Sequence, residues 1–308
     1  MRTVRFHRHG GPDVLVAEDA PAPEVGPQDL LLEIAFAGVT LPVVRLIRDG
    51  NLPLPHTPGG DVVGRVVAVG ADVRGWRIGQ RAAGLAFTGA YAELAVVNTA
   101  FVFPVPDDVG DKAALALVRG GQVALGTLYA AGFRGDGSVL VTAAAGGVGH
   151  LTVQLVKILG ADRVVAAVGS AAKADFVRGL GADDVVVYDG DWGEPVDLVL
   201  DGVGGDVFHR GLGAVKPFGR LVTYNGIGGT LDVNELRLRN QGVIGFSMAR
   251  FATQLREVYD ENLLRLWELT GAGKLRPAIH RTLPLGEAPE AHRILEAREN
   301  LGRVLLAI

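Results

Sequence analysis

The chain has 308 residues, 48% of them apolar and 21% charged, which is long enough for two domains and too apolar for a disordered chain. A net charge of −4 gives no basic footprint, so nucleic acid is not an expected partner. The absence of cysteine excludes disulfides, thiolate metal sites and a cysteine nucleophile together. The start, MRTVRFHRHGG, is charged and lacks an apolar signal core, so a cytoplasmic location is expected.

Short strands with Gly/Pro punctuation are predicted over the first hundred residues: RTVRFH, VLVAED, DLLLEIAFAGV, DVVGRVVAVG, AYAELAVV and FVFPVP. Their spacing predicts an antiparallel barrel or sandwich. From Asp111 the stretch DKAALALVRGGQVALGTLYAAGF has helical spacing, with Gly120 and Gly121 as a kink. From Ser138 strands and helices alternate: SVLVTA, HLTVQLVKILG, RVVAAVG, AAKADFVRGLG, DVVVYD, DLVLDGV, FHRGLGAV and RLVTYNG. That alternation predicts a parallel sheet with crossover helices. GVIGFSM reads as a last strand, followed by a helix to Gly273, the strand PAIHRTLPL, the helix GEAPEAHRILEAREN and the strand RVLLAI. Residues 138–156 are nearly uncharged, but Gly146, Gly147, Gly149, His150 and Gln154 make them a strand, turn and helix rather than a membrane span.

The turn in VTAAAGGVGH places Ala144, Gly146 and Gly149 at the three glycine positions of a dinucleotide-binding fingerprint. A helix opening near Val148 points its amide end at a pyrophosphate. At the end of the next strand, where a carboxylate would bind an unphosphorylated ribose, the chain reads Val168-Gly169-Ser170-Ala171-Ala172-Lys173, with no acid before Asp175. A hydroxyl and an ammonium suit a 2′-phosphate, so NADPH is the expected cofactor.

These segments resemble the zinc-independent medium-chain dehydrogenase/reductases, nearest the quinone oxidoreductase (zeta-crystallin-like) group. The residues that carry the likeness are AAAGGVG, VGSAAKADFVRGLGADDVVVYD and DGVGGDVFHRGLGAVKPFGRLVTYNG, with DLLLEIAFAGVT, LPHTPGGDVVGRVVAVGADVRGWRIGQRAAG and LPLGEAPEAHRILEARENLGRVLLAI outside them. The resemblance implies an α/β fold: a GroES-like β-barrel catalytic domain over residues 1–120 and 249–308, around a Rossmann doubly wound nucleotide domain over residues 121–248. It implies that Gly169, Ser170, Lys173, Tyr188 and Arg298 hold the 2′-phosphate. It places the pyrophosphate on the backbone of Ala145, Gly146, Gly147 and Val148, and the nicotinamide half against Val203, Tyr224, Asn225, Gly226, Phe246, Ser247 and Met248. The residues alone leave Tyr188 equally readable as a strand-end tyrosine with its ring in the core, and Arg298 as a surface residue.

Where zinc-containing relatives carry Gly-His-Glu, this chain has Gly59-Gly60-Asp61, and no metal site is expected. His56 reads as a turn or pocket residue. The first catalytic loop, Gly38-Val39-Thr40-Leu41-Pro42-Val43-Val44-Arg45, departs from the family's usual Gly-Val-Asn, and Gln122 stands where a threonine is usual. Thr40, Gln122 and Arg45 are the candidate catalytic donors, beside an apolar pocket of Leu41, Val43 and Val44. The expected activity is hydride transfer from NADPH to a quinone or a conjugated enone or enal. An enoyl-thioester reductase and a non-catalytic NADPH-binding protein of crystallin or sensor type are the alternatives. The family likeness also implies a homodimer through GVIGFSM.

Overall fold

Alternating burial in β3 (Asp29–Val39), with Leu30, Leu32 and Ile34 inside and Glu33 outside, sets the first sheet of the computed structural model, which describes residues 1–224 and 230–308. Before it, β1 (Arg2–Phe6) and β2 (Leu15–Asp19) form an antiparallel ribbon. After it come α1 (Leu41–Asp49), β4 (Gly60–Val69), β5 (Arg81–Ala86), β6 (Leu94–Asn98), β7 (Val102–Pro104) and α2 (Asp111–Ala116). The helix expected from Asp111 is interrupted by a wide turn of π type over Leu117–Gly121, which contains both glycines of the predicted kink.

Past that turn follow α3 (Gln122–Ala131), β8 (Ser138–Val141), α4 (Gly149–Ile158), β9 (Arg163–Val168), α5 (Ala174–Gly179) and β10 (Asp184–Val187). The chain continues through β11 (Val196–Asp201), α6 (Gly205–Gly213), β12 (Val215–Thr223), α7 (Val233–Arg239) and β13 (Gly242–Gly245). The helix predicted next is divided at Leu255 into α8 (Met248–Gln254) and α9 (Arg256–Gly271). The tail adds β14 (Ile279–Pro284), α10 (Ala288–Glu296) and β15 (Arg303–Ala307).

Two units result, Met1–Arg119 with Pro277–Ile308, and Gly120–Arg276. Residues 249–276, expected with the outer domain, belong to the second unit. Gln122 Nε2 donates to Tyr259 O at 2.7 Å, and the Gln154 amide makes a reciprocal pair with the Arg276 backbone at 2.9 and 3.1 Å.

In the first unit the sheet order is β14-β15-β3-β4-β5-β7, with β6 also on β3. β3 pairs with β6 through residues 29–33 and with β15 through residues 36–39, so two short strands share one of its edges. The end strands β14 and β7 do not pair with each other, and the sheet is left open rather than closed as a barrel. β14 and β15 run parallel because α10 crosses between them, which makes the sheet mixed rather than wholly antiparallel. Its core includes Leu30, Leu32, Val62, Val66, Tyr91, Ile294 and Leu306.

In the second unit six parallel strands take the order β10-β9-β8-β11-β12-β13. The chain moves outward from β8 to β10, then returns to the other side of β8 at β11. This is the doubly wound arrangement, whose ligand crevice lies beyond the strand ends where the order reverses. Leu140, Val165, Val199, Leu221 and Phe208 fill its core. Ser138 to Ile158 is the expected strand, turn and helix, and among the described residues no helix is long and apolar enough to cross a membrane.

Candidate functional site

Among the described residues, the cofactor candidates of the second unit lie at or just beyond the carboxyl ends of its strands. The turn after β8 enters through Ala143, which has φ +48°, and Gly146 N–H donates back to Ala143 O at 2.8 Å. The left-handed residue is thus Ala143, and Ala144, at the first fingerprint position, has no positive φ and accepts its methyl group. Gly149 opens α4 against this turn. A Cβ there would overlap Ala143 O and lie 2.7 Å from the Ala143 carbonyl carbon and Ala144 Cα, all rigid backbone. This is the close helix-to-strand contact that the third fingerprint glycine serves. No side chain caps α4 at Val148, and in its first turn the His150 and Leu151 amides donate to Gly146 O at 3.1 Å and Val148 O at 3.0 Å.

At the end of β9, Gly169 and Ser170 are exposed, and Ser170 Oγ accepts from Ala172 N–H at 3.3 Å. Lys173 is half-buried at the start of α5, and Asp175 is exposed and paired with Arg178. Tyr188 follows β10 with its ring against Gly169, and its hydroxyl accepts from Ala143 N–H at 2.9 Å. It therefore joins the phosphate turn to the serine turn and is not simply a core ring. These residues form one cradle around the ends of β8, β9 and β10.

On the other side of the crevice, Val203 and Tyr224 are half-buried after β11 and β12. Phe246 N–H donates to Thr223 O at 2.8 Å, its ring packs on Gly126 and Phe251, and Ser247 caps α8. Asn225 and Gly226 lie outside the described residues. Arg298 belongs to the first unit, exposed and with φ +55°, just past α10.

In the first unit Thr40 is the buried N-cap residue of α1, with Arg45 half-buried one turn further along. Leu41 and Val43 are half-exposed, whereas Val44 is buried in the core and cannot line a pocket. Gln122, in the second unit, is fully buried: its amide nitrogen is committed to Tyr259 O, and its Oε1 is buried with no partner among the described residues. His56 is pinned to β1 by paired backbone hydrogen bonds with Phe6, both 3.0 Å, as a turn residue.

Two buried acids escaped the sequence reading. Asp61, fully buried, forms ion pairs with Arg119 and Arg303. Asp201, also fully buried, accepts from Thr142, Thr223 and two backbone amides at the end of β11. The available signal for Asp201 was an acid closing the apolar strand DLVLD just before Gly-Val-Gly-Gly.

Residues 26–107 match the family profile described as alcohol dehydrogenase GroES-like domain, and residues 159–306 the one described as zinc-binding dehydrogenase. The chain is 31% identical to the probable quinone oxidoreductase of Schizosaccharomyces pombe, over 98% of this chain and 96% of that one. It is 30% identical to the quinone oxidoreductase of Pseudomonas aeruginosa over 99% of each. The solved structure of Escherichia coli quinone oxidoreductase complexed with NADPH matches with a TM-score of 0.93 at 27% identity, covering 100% of both chains.

Proposed function

The chain belongs to the medium-chain dehydrogenase/reductases, in the zinc-independent quinone oxidoreductase group, and from that premise we propose that it is an NADPH-dependent reductase of quinones or conjugated enones and enals. The observation that carries the cofactor reading is the turn after β9. Ser170 and Lys173 stand there, the Tyr188 ring lies against Gly169, and no carboxylate precedes Asp175. A 2′-phosphate would meet a hydroxyl and an ammonium in that turn. The uncapped start of α4 suits the pyrophosphate.

NADPH supplies a hydride, and an acceptor that is already electrophilic takes it up together with a proton from water, giving a quinol or a saturated carbonyl compound. Thr40 and Arg45 are the donors for the acceptor oxygen as it gains charge. Gln122 is a poorer donor, since it is fully buried and its amide nitrogen already donates one N–H to Tyr259 O. The half-exposed Leu41 and Val43 suit a flat apolar molecule. Zinc independence rests on the residues. Gly59 and Gly60 carry no ligand atom, cysteine is absent, and the Asp61 carboxylate is engaged by two arginines.

The experiment is a fluorescence titration of wild type and Lys173→Ala with NADPH and NADH. One lost charge-assisted contact of about 1.5–3 kcal/mol weakens NADPH by roughly 10- to 100-fold and leaves NADH within about twofold. Equal weakening of both nucleotides would show that Lys173 does not touch the 2′-phosphate.

A further inference from the structure

Asp201 closes β11 at the point where the strand order reverses, between β8 and β12. One carboxylate gathers groups from all three strand ends. Its Oδ1 accepts from Thr142 Oγ1 at 3.0 Å, Val203 N–H at 3.1 Å and Gly204 N–H at 3.2 Å. Its Oδ2 accepts from Thr223 Oγ1 at 3.0 Å and again from Gly204 N–H at 3.1 Å. Thr142 Oγ1 in turn accepts from Gly202 N–H at 2.9 Å, and the Asp201 carbonyl accepts from Tyr224 N–H at 3.1 Å. Gly202 also allows the approach of Tyr224, because a Cβ there would overlap the phenol hydroxyl. Burial, with the Asp201 carboxylate nearby, raises the Tyr224 hydroxyl above its usual range and keeps it protonated. Asp201 and Thr142 are fully buried, so water replaces none of these bonds.

A buried carboxylate is costly unless its acceptor sites are filled, and here every partner is an N–H or a hydroxyl. An apolar residue would complete the β11 interior at lower cost. What the acid adds is control of residues 202–204 and of Tyr224, and Val203 and Tyr224 are positions against which the family resemblance would place the nicotinamide half. We propose that Asp201 is a positioning residue for hydride transfer, fixing the 202–204 turn and Tyr224 so that the nicotinamide is held in line with the acceptor. This rests on the NADPH-dependent reading above.

The test uses the full chain, comparing wild type with Asp201→Asn, which keeps the volume and one acceptor but sets an NH2 donor against Gly204 N–H or a threonine hydroxyl. The probes are NADPH and adenosine 2′,5′-bisphosphate, which ends before the nicotinamide. Turnover at saturating NADPH is expected to fall about 10- to 100-fold, the effect of a displacement on the order of 1 Å between reacting groups. Binding of the bisphosphate is expected to stay within about twofold, as for independent sites, while NADPH binding weakens. Thr142→Val, which removes one neutral hydroxyl from the same network, is expected to lower turnover about 3- to 10-fold with the same binding pattern. It carries the test if Asp201→Asn does not fold. Equal weakening of both probes would mean a merely structural role, and unchanged turnover would mean no role; either overturns the proposal alone. A wild type that binds neither probe overturns the NADPH reading and the proposal with it.

Discussion

Lowering the pH from 7 to 5 is expected to destabilise the first unit through a single side chain, His292 on α10. It is 1% exposed, and its Nε2 lies 3.1 Å from the hydroxyl of Tyr91, itself fully buried. Removal from water pushes the imidazole down from 6.5 to about 4. Burial, with the Asp61 carboxylate nearby, pushes the Tyr91 hydroxyl upward, so the phenol stays protonated beside a neutral ring. Because the folded value lies below the unfolded one, the unfolded chain binds the extra proton between them. The contribution is therefore complete above about pH 6.5 and is lost as the pH falls toward 4. At 1.36 kcal/mol per unit the full interval is worth about 3 kcal/mol, of which about 2 kcal/mol is lost by pH 5. Urea denaturation of wild type and His292→Gln at both pH values measures it. The glutamine can still hydrogen-bond Tyr91 but does not titrate, so wild type should lose about 2 kcal/mol more than the variant between pH 7 and pH 5. Equal losses would refute the assignment of this pH dependence to His292.

Gly149→Ala forces a methyl group onto the Ala143 and Ala144 backbone, with no flexible side chain to give way. Overpacking of this kind costs about 1–3 kcal/mol, and the displaced start of α4 should weaken NADPH about tenfold or more; a thermal melt and a titration that both match wild type would contradict the packing role. β13 is the outer strand of its sheet, and Val243 and Ile244 in it are only half-buried. Pairing of two copies along β13 would cover that edge. Light scattering is accordingly expected to give twice the mass of the chain, and a monomer mass would contradict the dimer.

The second unit was the more legible because its signals are local. The change from strand to helical period across VTAAAGGVGH marks β8 and α4 within a few residues of each other, and the serine and lysine turn follows the next strand directly. The features that were not legible depend on residues far apart in sequence. Whether the first sheet closes depends on β3 dividing one edge between β6 and β15. The late boundary at Arg276 depends on Gln154, 122 positions earlier. Thr142 meets Asp201 across 59 positions and Arg303 meets Asp61 across 242, and no periodicity records either pair. Val44 and Gln122 show the same limit on a smaller scale. The sequence placed both near the acceptor, while the fold turns Val44 into the core and commits the Gln122 N–H to Tyr259.

The most direct test of the central claim is the initial rate of NADPH consumption by the purified protein with a panel of quinones, enones and enals, run with and without a strong chelator. The account expects NADPH consumption with members of that panel, much slower consumption of NADH, and rates unaffected by the chelator. No consumption with any acceptor, or activity that disappears on chelation, would contradict it.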